Sequence, residues 1–300
     1  MAAPASETVV TLSAHVKKIA VVGGGTMGNG IAQVFATSGF DVELIDAKPE
    51  YVERALGTVA RNLDRVAKKQ AWDDSRTKSI LGRIHGGTSL DAAKDCQLVV
   101  EAVTESLELK KQIFTTLDAV APANTVLASN TSSISITEIA AFTKRPAQVI
   151  GMHFMNPVPV MTLVEIIRGI ATSDATYALT DELSKRLGKT PVEVNDYPGF
   201  VSNRILMPMI NEAVYTLMEG VATKEAIDTV MKLGMNHPMG PLQLADLIGL
   251  DTCLAILEVM HRGLGDPKYR PCPLLRKYVA AGWLGKKSGR GFYTYAPAKG

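Results

Sequence analysis

The sequence predicts an α/β protein in which a doubly wound parallel sheet carries an inserted helical pair and is followed by an all-α C-terminal domain. Short apolar stretches of strand length alternate with helical patterns over the first part of the chain, which is typical of βαβ units. From residue 201 onward, helical periodicity dominates instead. We therefore predict a frayed tail over residues 1–16, a sheet domain over 17–190 and a helical domain over 191–300.

The elements of the sheet domain follow in order along the chain. "KKIAVVGGG" predicts a buried strand that runs into a glycine turn, and "TMGNGIAQVFATSG" predicts a helix that ends at Gly39. "DVELID" predicts a second strand, and a helix joining two strands makes the pair parallel. Two helices follow, over about 50–70 and 73–83. Three further strands are predicted from "CQLVVEAV", "NTVLASN" and "AQVIGMHF".

The helical domain is predicted from three long amphipathic stretches, and its tail "GRGFYTY" is predicted to be extended. The stretches are "VSNRILMPMINEAVYTLMEG", "TKEAIDTVMKLG" and "PLQLADLIGLDTCLAILEVMHRG".

Composition excludes several classes of protein. A net charge of +2 without a dense basic tract argues against nucleic-acid binding. No apolar run approaches the length of a membrane helix, and the N-terminus lacks a targeting signature. The three scattered cysteines and five scattered histidines lack metal-ligand spacing. We predict a cytoplasmic protein that binds no metal, nucleic acid or membrane.

A dinucleotide site is predicted where Gly23, Gly25 and Gly28 form G-x-G-x-x-G between a strand and a helix. Missing Cβ atoms let the backbone approach a pyrophosphate at the helix N-terminus. Asp46 ends the next strand and can accept both ribose hydroxyls, which predicts a Rossmann-type fold and favours NAD over NADP, although Lys48 weakens that preference. The alternative is a glycine turn without a ligand. The predicted cofactor site includes Gly23, Gly25, Thr26, Met27, Gly28 and Asp46.

Two ionisable residues, His153 and Glu165, lie in the apolar stretch "GMHFMNPVPVMTLVEII". Burying either is costly unless it is paired. The "NPVPV" turn can return the chain so that the carboxylate meets the imidazole, which fixes the tautomer and raises its basicity. We predict a general acid/base pair, with a purely structural buried pair as the alternative.

Two weaker candidates are polar residues next to predicted helices. Ser132 and Ser133, in "ASNTSSIS", either cap a helix or bind a substrate oxygen. Asn203, in "PGFVSNRI", is either a polar residue at a helix start or a substrate donor.

Four basic residues share one face of the helix predicted over 50–70. They can hold the phosphates of a nucleotide-bearing substrate such as coenzyme A, or they can be a solvated helix face, since Asp64 interrupts the positive field. The residues are Arg61, Arg65, Lys68 and Lys69.

From about Lys17 to Tyr295, these motifs in this order resemble the short-chain L-3-hydroxyacyl-CoA dehydrogenase family, and within it the bacterial 3-hydroxybutyryl-CoA dehydrogenases. Besides the segments above, the resemblance rests on "EAVTESLELKKQIF", "MKLGMNHPMGPLQLADLIGLD" and "KKSGRGFYTY".

The resemblance implies catalytic roles at four matching positions. His153 is then the general acid/base and Glu165 its orienting partner. Ser132 contacts the substrate's C3 oxygen, and Asn203 helps to fix the acyl carbonyl. We also predict that Glu101, Ser106, Asn130 and Lys287 line the NAD site.

The activity that the resemblance implies is reversible NAD-dependent oxidation of (S)-3-hydroxybutyryl-CoA to acetoacetyl-CoA. It also implies coenzyme A binding on the Arg61–Lys69 face and a homodimer formed through the helical domain. The alternatives are an L-gulonate 3-dehydrogenase and a non-catalytic crystallin-like relative.

Overall fold

The structure, a computed structural model, describes residues 12–296. The chain divides into two compact units that part between Asp196 and Tyr197. None of the described helices is long and apolar enough to cross a membrane.

The first unit is built on an eight-stranded sheet with the order β3-β2-β1-β4-β5-β6-β7-β8. Neighbouring strands are parallel except β6 and β7, which pair antiparallel. The strands are β1 (Lys18–Val22), β2 (Asp41–Ile45), β3 (Ile84–Gly87), β4 (Leu98–Glu101), β5 (Val126–Ser129), β6 (Val149–Phe154), β7 (Leu163–Arg168) and β8 (Thr190–Asn195).

Six helices connect these strands, and α2 and α3 form the helical pair inserted between β2 and β3. The helices are α1 (Thr26–Thr37), α2 (Pro49–Gln70), α3 (Asp74–Leu81), α4 (Leu107–Val120), α5 (Ile136–Ala140) and α6 (Asp174–Arg186). The predicted doubly wound sheet with an inserted helical pair is confirmed.

The core of this unit lies on both faces of the central strands. Strands β4, β5 and β6 are buried at every position, as expected of parallel strands covered by helices on both sides. Phe35 at the end of α1 packs edge-to-face on Phe40, with ring centroids 5.4 Å apart, and so holds α1 against the sheet.

The two edge strands, β3 and β8, were not predicted from the sequence. In β3 the sequence "IHGG" buries only Ile84, and in β8 most residues are exposed around Pro191. Edge strands that bury so little leave no apolar alternation to detect. Because β8 pairs with β7, residues 191–195 belong to the sheet, and the helical unit begins later than predicted.

Part of the predicted frayed tail packs on the first unit. Residues 1–11 lie outside the described residues, but Leu12–His15 form a 3-10 turn. Ser13 is fully buried there, donates its hydroxyl to Glu182 at 2.5 Å and accepts from Arg186 at 3.0 Å. These bonds to α6 explain why this short segment is folded.

The second unit packs five helices around an apolar core, as predicted. They are α7 (Ser202–Met218), α8 (Lys224–Gly234), α9 (Pro241–Ile248), α10 (Leu250–Leu264) and α11 (Pro273–Ala280). The C-terminal segment forms isolated bridges instead of a strand. The buried Asp246 carboxylate accepts from the backbone N–H groups of Phe292 and Tyr293 and from the Tyr295 hydroxyl, all at 2.9 Å, and so holds this segment.

Candidate active site

The His153–Glu165 pair lies across two antiparallel strands. His153 on β6 stands directly opposite Glu165 on β7, and its Nδ1 lies 2.7 Å from Glu165 Oε2. His153 is 8% exposed and Glu165 is 2% exposed. Because Nδ1 engages the carboxylate, a proton exchanged with a substrate passes through Nε2. The arrangement suits a general base whose charged form is stabilised by an adjacent anion.

The chain between the two strands, residues 155–162, forms the β6–β7 turn. Pro157 O accepts from the backbone N–H groups of Val160 and Met161, both at 2.9 Å. At the start of the turn, Asn130 Oδ1 accepts from Phe154 N at 3.0 Å and ties the chain after β5 to the end of β6. Asn130 thus supports the edge of the sheet that carries His153, and its predicted contact with the cofactor stays a prediction.

Ser132 lies in the segment after β5 and is bound to Glu105. Both its backbone N–H and its hydroxyl donate to Glu105 Oε1, at 2.5 and 2.9 Å, and Thr131 donates its hydroxyl to Oε2 at 2.8 Å. The helix-capping role considered for Ser132 and Ser133 falls instead to Ser135, whose Oγ accepts from Glu138 N at 3.2 Å. The predicted contact of Ser132 with a substrate oxygen stays a prediction.

Glu105 was missed by the sequence analysis. Its side chain is 38% exposed and follows the carboxyl end of β4, the side of an open α/β sheet where ligands bind. That position after a strand was the signal that could have identified it.

Glu101 lies in the core and not on a wall of the site, which corrects its predicted role. It is fully buried, and its carboxylate accepts from Lys110 Nζ at 2.7 and 2.8 Å, from Val103 N at 2.7 Å and from Ser129 Oγ at 2.7 Å. Lys110, at 1% exposure, is equally enclosed. With its oxygens occupied by protein donors, Glu101 has a structural role in the Glu101–Lys110 pair.

Ser106 caps α4. Its Oγ accepts from Leu109 N at 3.4 Å, which satisfies one of the unpaired N–H groups of the first helical turn. This contact accounts for a serine at the position without any ligand.

The glycine turn between β1 and α1 is shaped for close approach of a ligand. Gly23 has φ +101°, and a Cβ on Gly28 would lie 1.6 Å from Gly23 O, so neither position tolerates a side chain. A Cβ on Gly25 would meet nothing within 4 Å, so its backbone faces open space at the start of α1. Thr26 and Met27 form the first turn of that helix. This geometry fits a dinucleotide pyrophosphate.

Asp46 is oriented by two backbone donors. Gly24 N donates to Oδ2 at 2.7 Å and Ala47 N donates to Oδ1 at 2.6 Å. Each oxygen keeps lone-pair capacity for one ribose hydroxyl. The half-buried carboxylate thus fits the adenosine ribose of NAD, and would repel a 2′-phosphate.

A cavity of about 360 Å³ lies between the glycine turn, α2 and the β6–β7 turn. Arg54, Thr58 and Asn62 line it from successive turns of α2, and Asn156 and Pro157 line it from the β6–β7 turn.

The four basic residues on the exposed face of α2 have different neighbours. Arg61, Arg65, Lys68 and Lys69 are all exposed, and Arg61 donates to Thr58 Oγ1 at 3.0 Å, beside the cavity. Lys68 instead lines a separate cleft between α2 and α3 with Trp72 and Lys78. The predicted contacts of these four residues with substrate phosphates stay predictions.

Two predicted site residues lie in the second unit. Asn203 is in the first turn of α7 and is 7% exposed. Lys287 Nζ lies 2.6 and 2.7 Å from the two carboxylate oxygens of Asp251. Their roles toward substrate and NAD stay predictions.

Other reactive groups do not suggest different chemistry. Burial raises the pKa of both the Cys96 and Cys253 thiols to about 12, which keeps them from acting as thiolates. In residues 12–296 no group of three or more His, Cys, Asp or Glu side chains is placed to hold a metal ion.

Comparison with known proteins agrees with this geometry along the whole described chain. Residues 18–197 match the model of the 3-hydroxyacyl-CoA dehydrogenase NAD-binding domain, and residues 199–295 match that of the 3-hydroxyacyl-CoA dehydrogenase C-terminal domain. A probable 3-hydroxybutyryl-CoA dehydrogenase of Bacillus subtilis is 60% identical over 281 residues, covering 94% of this chain and 98% of that protein. A 3-hydroxybutyryl-CoA dehydrogenase of Bradyrhizobium diazoefficiens is 55% identical over 289 residues, covering 96% and 98%.

Among solved structures, the (S)-3-hydroxybutyryl-CoA dehydrogenase PaaH1 of Ralstonia eutropha superposes with a TM-score of 0.91 at 53% identity, covering 94% of this chain and 99% of that one. The two domain matches and this degree of identity show that the chain belongs to the 3-hydroxyacyl-CoA dehydrogenase family, a family of oxidoreductases that use NAD.

Proposed function

We propose that the protein reversibly oxidises (S)-3-hydroxybutyryl-CoA to acetoacetyl-CoA with NAD. The observation that carries the proposal is the His153–Glu165 pair, an imidazole 2.7 Å from a buried carboxylate on adjacent strands. The substrate is proposed from the similar proteins of Bacillus, Bradyrhizobium and Ralstonia, which bear that name.

In the proposed reaction His153 moves the proton. Neutral imidazole accepts the proton of the C3 hydroxyl at Nε2, and in the reverse direction the imidazolium returns it to the C3 oxygen. Glu165 stabilises the imidazolium through Nδ1 and keeps the ring in one orientation. Bound NAD supplies the acceptor for the hydride that leaves C3.

Ser132 is proposed to hydrogen-bond the C3 oxygen. Its hydroxyl donates to Glu105, and a hydroxyl oxygen that donates can also accept a hydrogen bond. Asn203 is proposed to bind the acyl carbonyl. Its position in the first turn of α7, where it is 7% exposed, supports this assignment.

The glycine turn and Asp46 are proposed to hold the pyrophosphate and the adenosine ribose of NAD. The close approach at Gly25 and the two backbone donors to Asp46 support this assignment. Lys287 is proposed as a further contact of the cofactor.

Coenzyme A is proposed to lie along α2, with its phosphates near Arg61, Arg65 and Lys69. Lys68 faces the α2–α3 cleft, so we expect it to contribute less than the other three.

We further propose a cytoplasmic homodimer formed through the helical unit. Ile205 on α7 and Val230 and Leu233 on α8 are 69%, 59% and 80% exposed, respectively. Apolar side chains this exposed on neighbouring helices are typical of a surface that associates. Three free, buried cysteines suit a reducing compartment.

The test is one NADH oxidation assay with three conditions: acetoacetyl-CoA, an L-gulonate-derived ketone, and no ketone. We expect rapid oxidation with acetoacetyl-CoA alone. Oxidation only with the sugar-derived ketone would replace the proposed substrate, and a folded protein inactive with both would support a non-catalytic role. A series of 3-ketoacyl-CoA substrates then measures the chain-length preference.

A further inference from the structure

Lys189 is a buried cation that the proposed reaction does not use. It lies between α6 and β8 and is 9% exposed. Its Nζ donates to Val158 O at 2.5 Å and to Met161 O at 2.7 Å. Both acceptors are neutral carbonyl groups, and burial lowers the pKa of the Lys189 ammonium. Keeping an ammonium in such surroundings is costly, so its two hydrogen bonds indicate what it does.

Both carbonyls belong to the β6–β7 turn, which joins the strand of His153 to the strand of Glu165. Pro157 and Pro159 provide no backbone N–H, so this turn has fewer internal donors than an ordinary turn of its length. Lys189 adds two donors from outside the turn. Next to it, Thr190 N donates to Thr162 O at 2.7 Å and extends the attachment to the start of β7.

The same turn forms a wall of the 360 Å³ cavity that also contains the glycine turn. Val158 is the point of closest approach, because a Cβ on Gly30 in α1 would lie 2.9 Å from Val158 Cβ. Val158 is 2% exposed and has no space to shift toward α1. The position of its carbonyl, and hence Lys189, therefore sets the shape of the cavity next to the dinucleotide turn.

We propose that Lys189 is a positioning residue for dinucleotide binding: by fixing the carbonyls of Val158 and Met161, it holds the β6–β7 turn in the form that accepts the cofactor. This inference rests on the proposed NAD site. The His153–Glu165 pair is held independently by the β6–β7 ladder, so Lys189 acts on binding more than on the proton transfer.

The decisive variant is Lys189→Met, which keeps the length of the side chain and removes the donors and the charge. We expect the KM for NADH to rise about tenfold, while kcat at saturating NADH stays within about threefold of wild type. Lys189→Arg keeps a cationic donor and should recover most of the affinity. Lys185→Met is the matched control, because Lys185 is exposed on α6 and pairs with Asp181 alone among its described partners.

Direct titration of NADH binding by fluorescence, without any second substrate, separates this inference from the proposed substrate. Weakened NADH binding by Lys189→Met in a protein with the wild-type thermal midpoint supports it, even if acetoacetyl-CoA is not the substrate. Wild-type NADH affinity, or a loss of kcat at unchanged KM, overturns it. If Lys189→Met does not fold, Lys189→Gln retains one donor and the same titration decides.

Discussion

The first unit contains two buried pairs, each with a carboxylate on a strand of the sheet, that have very different environments. In the Glu101–Lys110 pair the residues are 0% and 1% exposed, and the carboxylate also accepts from Val103 N and Ser129. In the His153–Glu165 pair the imidazole is 8% exposed, on the strand that leads into a turn lining a cavity. Enclosure on all sides makes the first pair structural. Partial exposure of the imidazole and an adjacent carboxylate on Nδ1 make the second suitable for proton transfer.

This difference shows why a buried ionic pair alone does not indicate catalysis. Burying ionisable side chains is unfavourable in both places, and in each pair the partners hydrogen-bond one another. The pair proposed to be catalytic differs in that its imidazole is partly exposed and lies on the strand that leads into the cavity-lining turn. The four predictions below test that distinction, in order of decreasing expected effect.

The largest effect is expected for His153→Gln. The amide can fill the space of the ring and donate to Glu165, but it cannot accept and return a proton. We expect kcat for acetoacetyl-CoA reduction to fall by a factor of about 10²–10⁴, with a nearly unchanged urea midpoint. Near wild-type turnover in the folded variant would show that His153 is not the acid/base, and both pairs would then be structural.

A matched change in the two carboxylates should separate the pairs. Glu101→Gln removes the nearer anion of the buried Lys110 ammonium and leaves only the Glu105 carboxylate, 3.7 Å away, so it should lower the free energy of unfolding by about 3–5 kcal/mol. Glu165→Gln removes the anion that stabilises the imidazolium, and should lower kcat by a factor of about 10–10² with substrate binding retained. Urea unfolding and steady-state kinetics on both variants are the measurements. If the two variants show the same changes in stability and in kcat, the Glu101–Lys110 and His153–Glu165 pairs do not differ in role.

A smaller effect is expected at Asp46, which is oriented by two backbone donors and forms no ion pair within residues 12–296. Asp46→Ala removes the repulsion of a 2′-phosphate and the bonds to the ribose hydroxyls. The preference for NADH over NADPH, measured as the ratio of kcat/KM values, should fall by about tenfold or more, corresponding to at least about 1.4 kcal/mol. An unaltered ratio would contradict the ribose assignment.

The sequence predicted those features that leave a clear pattern of residue types or spacings. The antiparallel return of β7 beside β6 was predictable, because a histidine and a glutamate inside an apolar run are costly to bury unless they pair. The glycine turn was predictable from its spacing. The edge strands β3 and β8 were not, because they bury few side chains.

At and after the end of β4, the sequence pattern did not predict the role of each polar side chain. Glu101, the last residue of β4, is followed closely by Glu105 and Ser106, and a one-dimensional pattern cannot tell which side chain points into the core. In the structure Glu101 is enclosed, Ser106 caps α4 and Glu105 binds Ser132. Only the direction of each side chain from the end of the strand separates these roles.

The smallest effect, expected at Ser106, tests that reassignment. Ser106→Ala removes the oxygen that accepts from Leu109 N, and loss of an N-cap of this kind lowers the free energy of unfolding by about 1 kcal/mol. Because α4 is also held by its buried face, the helix should persist and the KM for NADH should not change. Ser135→Ala, which removes the corresponding cap of α5 and also a hydrogen bond to Asp196, provides a control with the same substitution. A raised KM for NADH in Ser106→Ala, absent from Ser135→Ala, would return Ser106 to the cofactor site. It would also mean that the start of α4 is in contact with the cofactor.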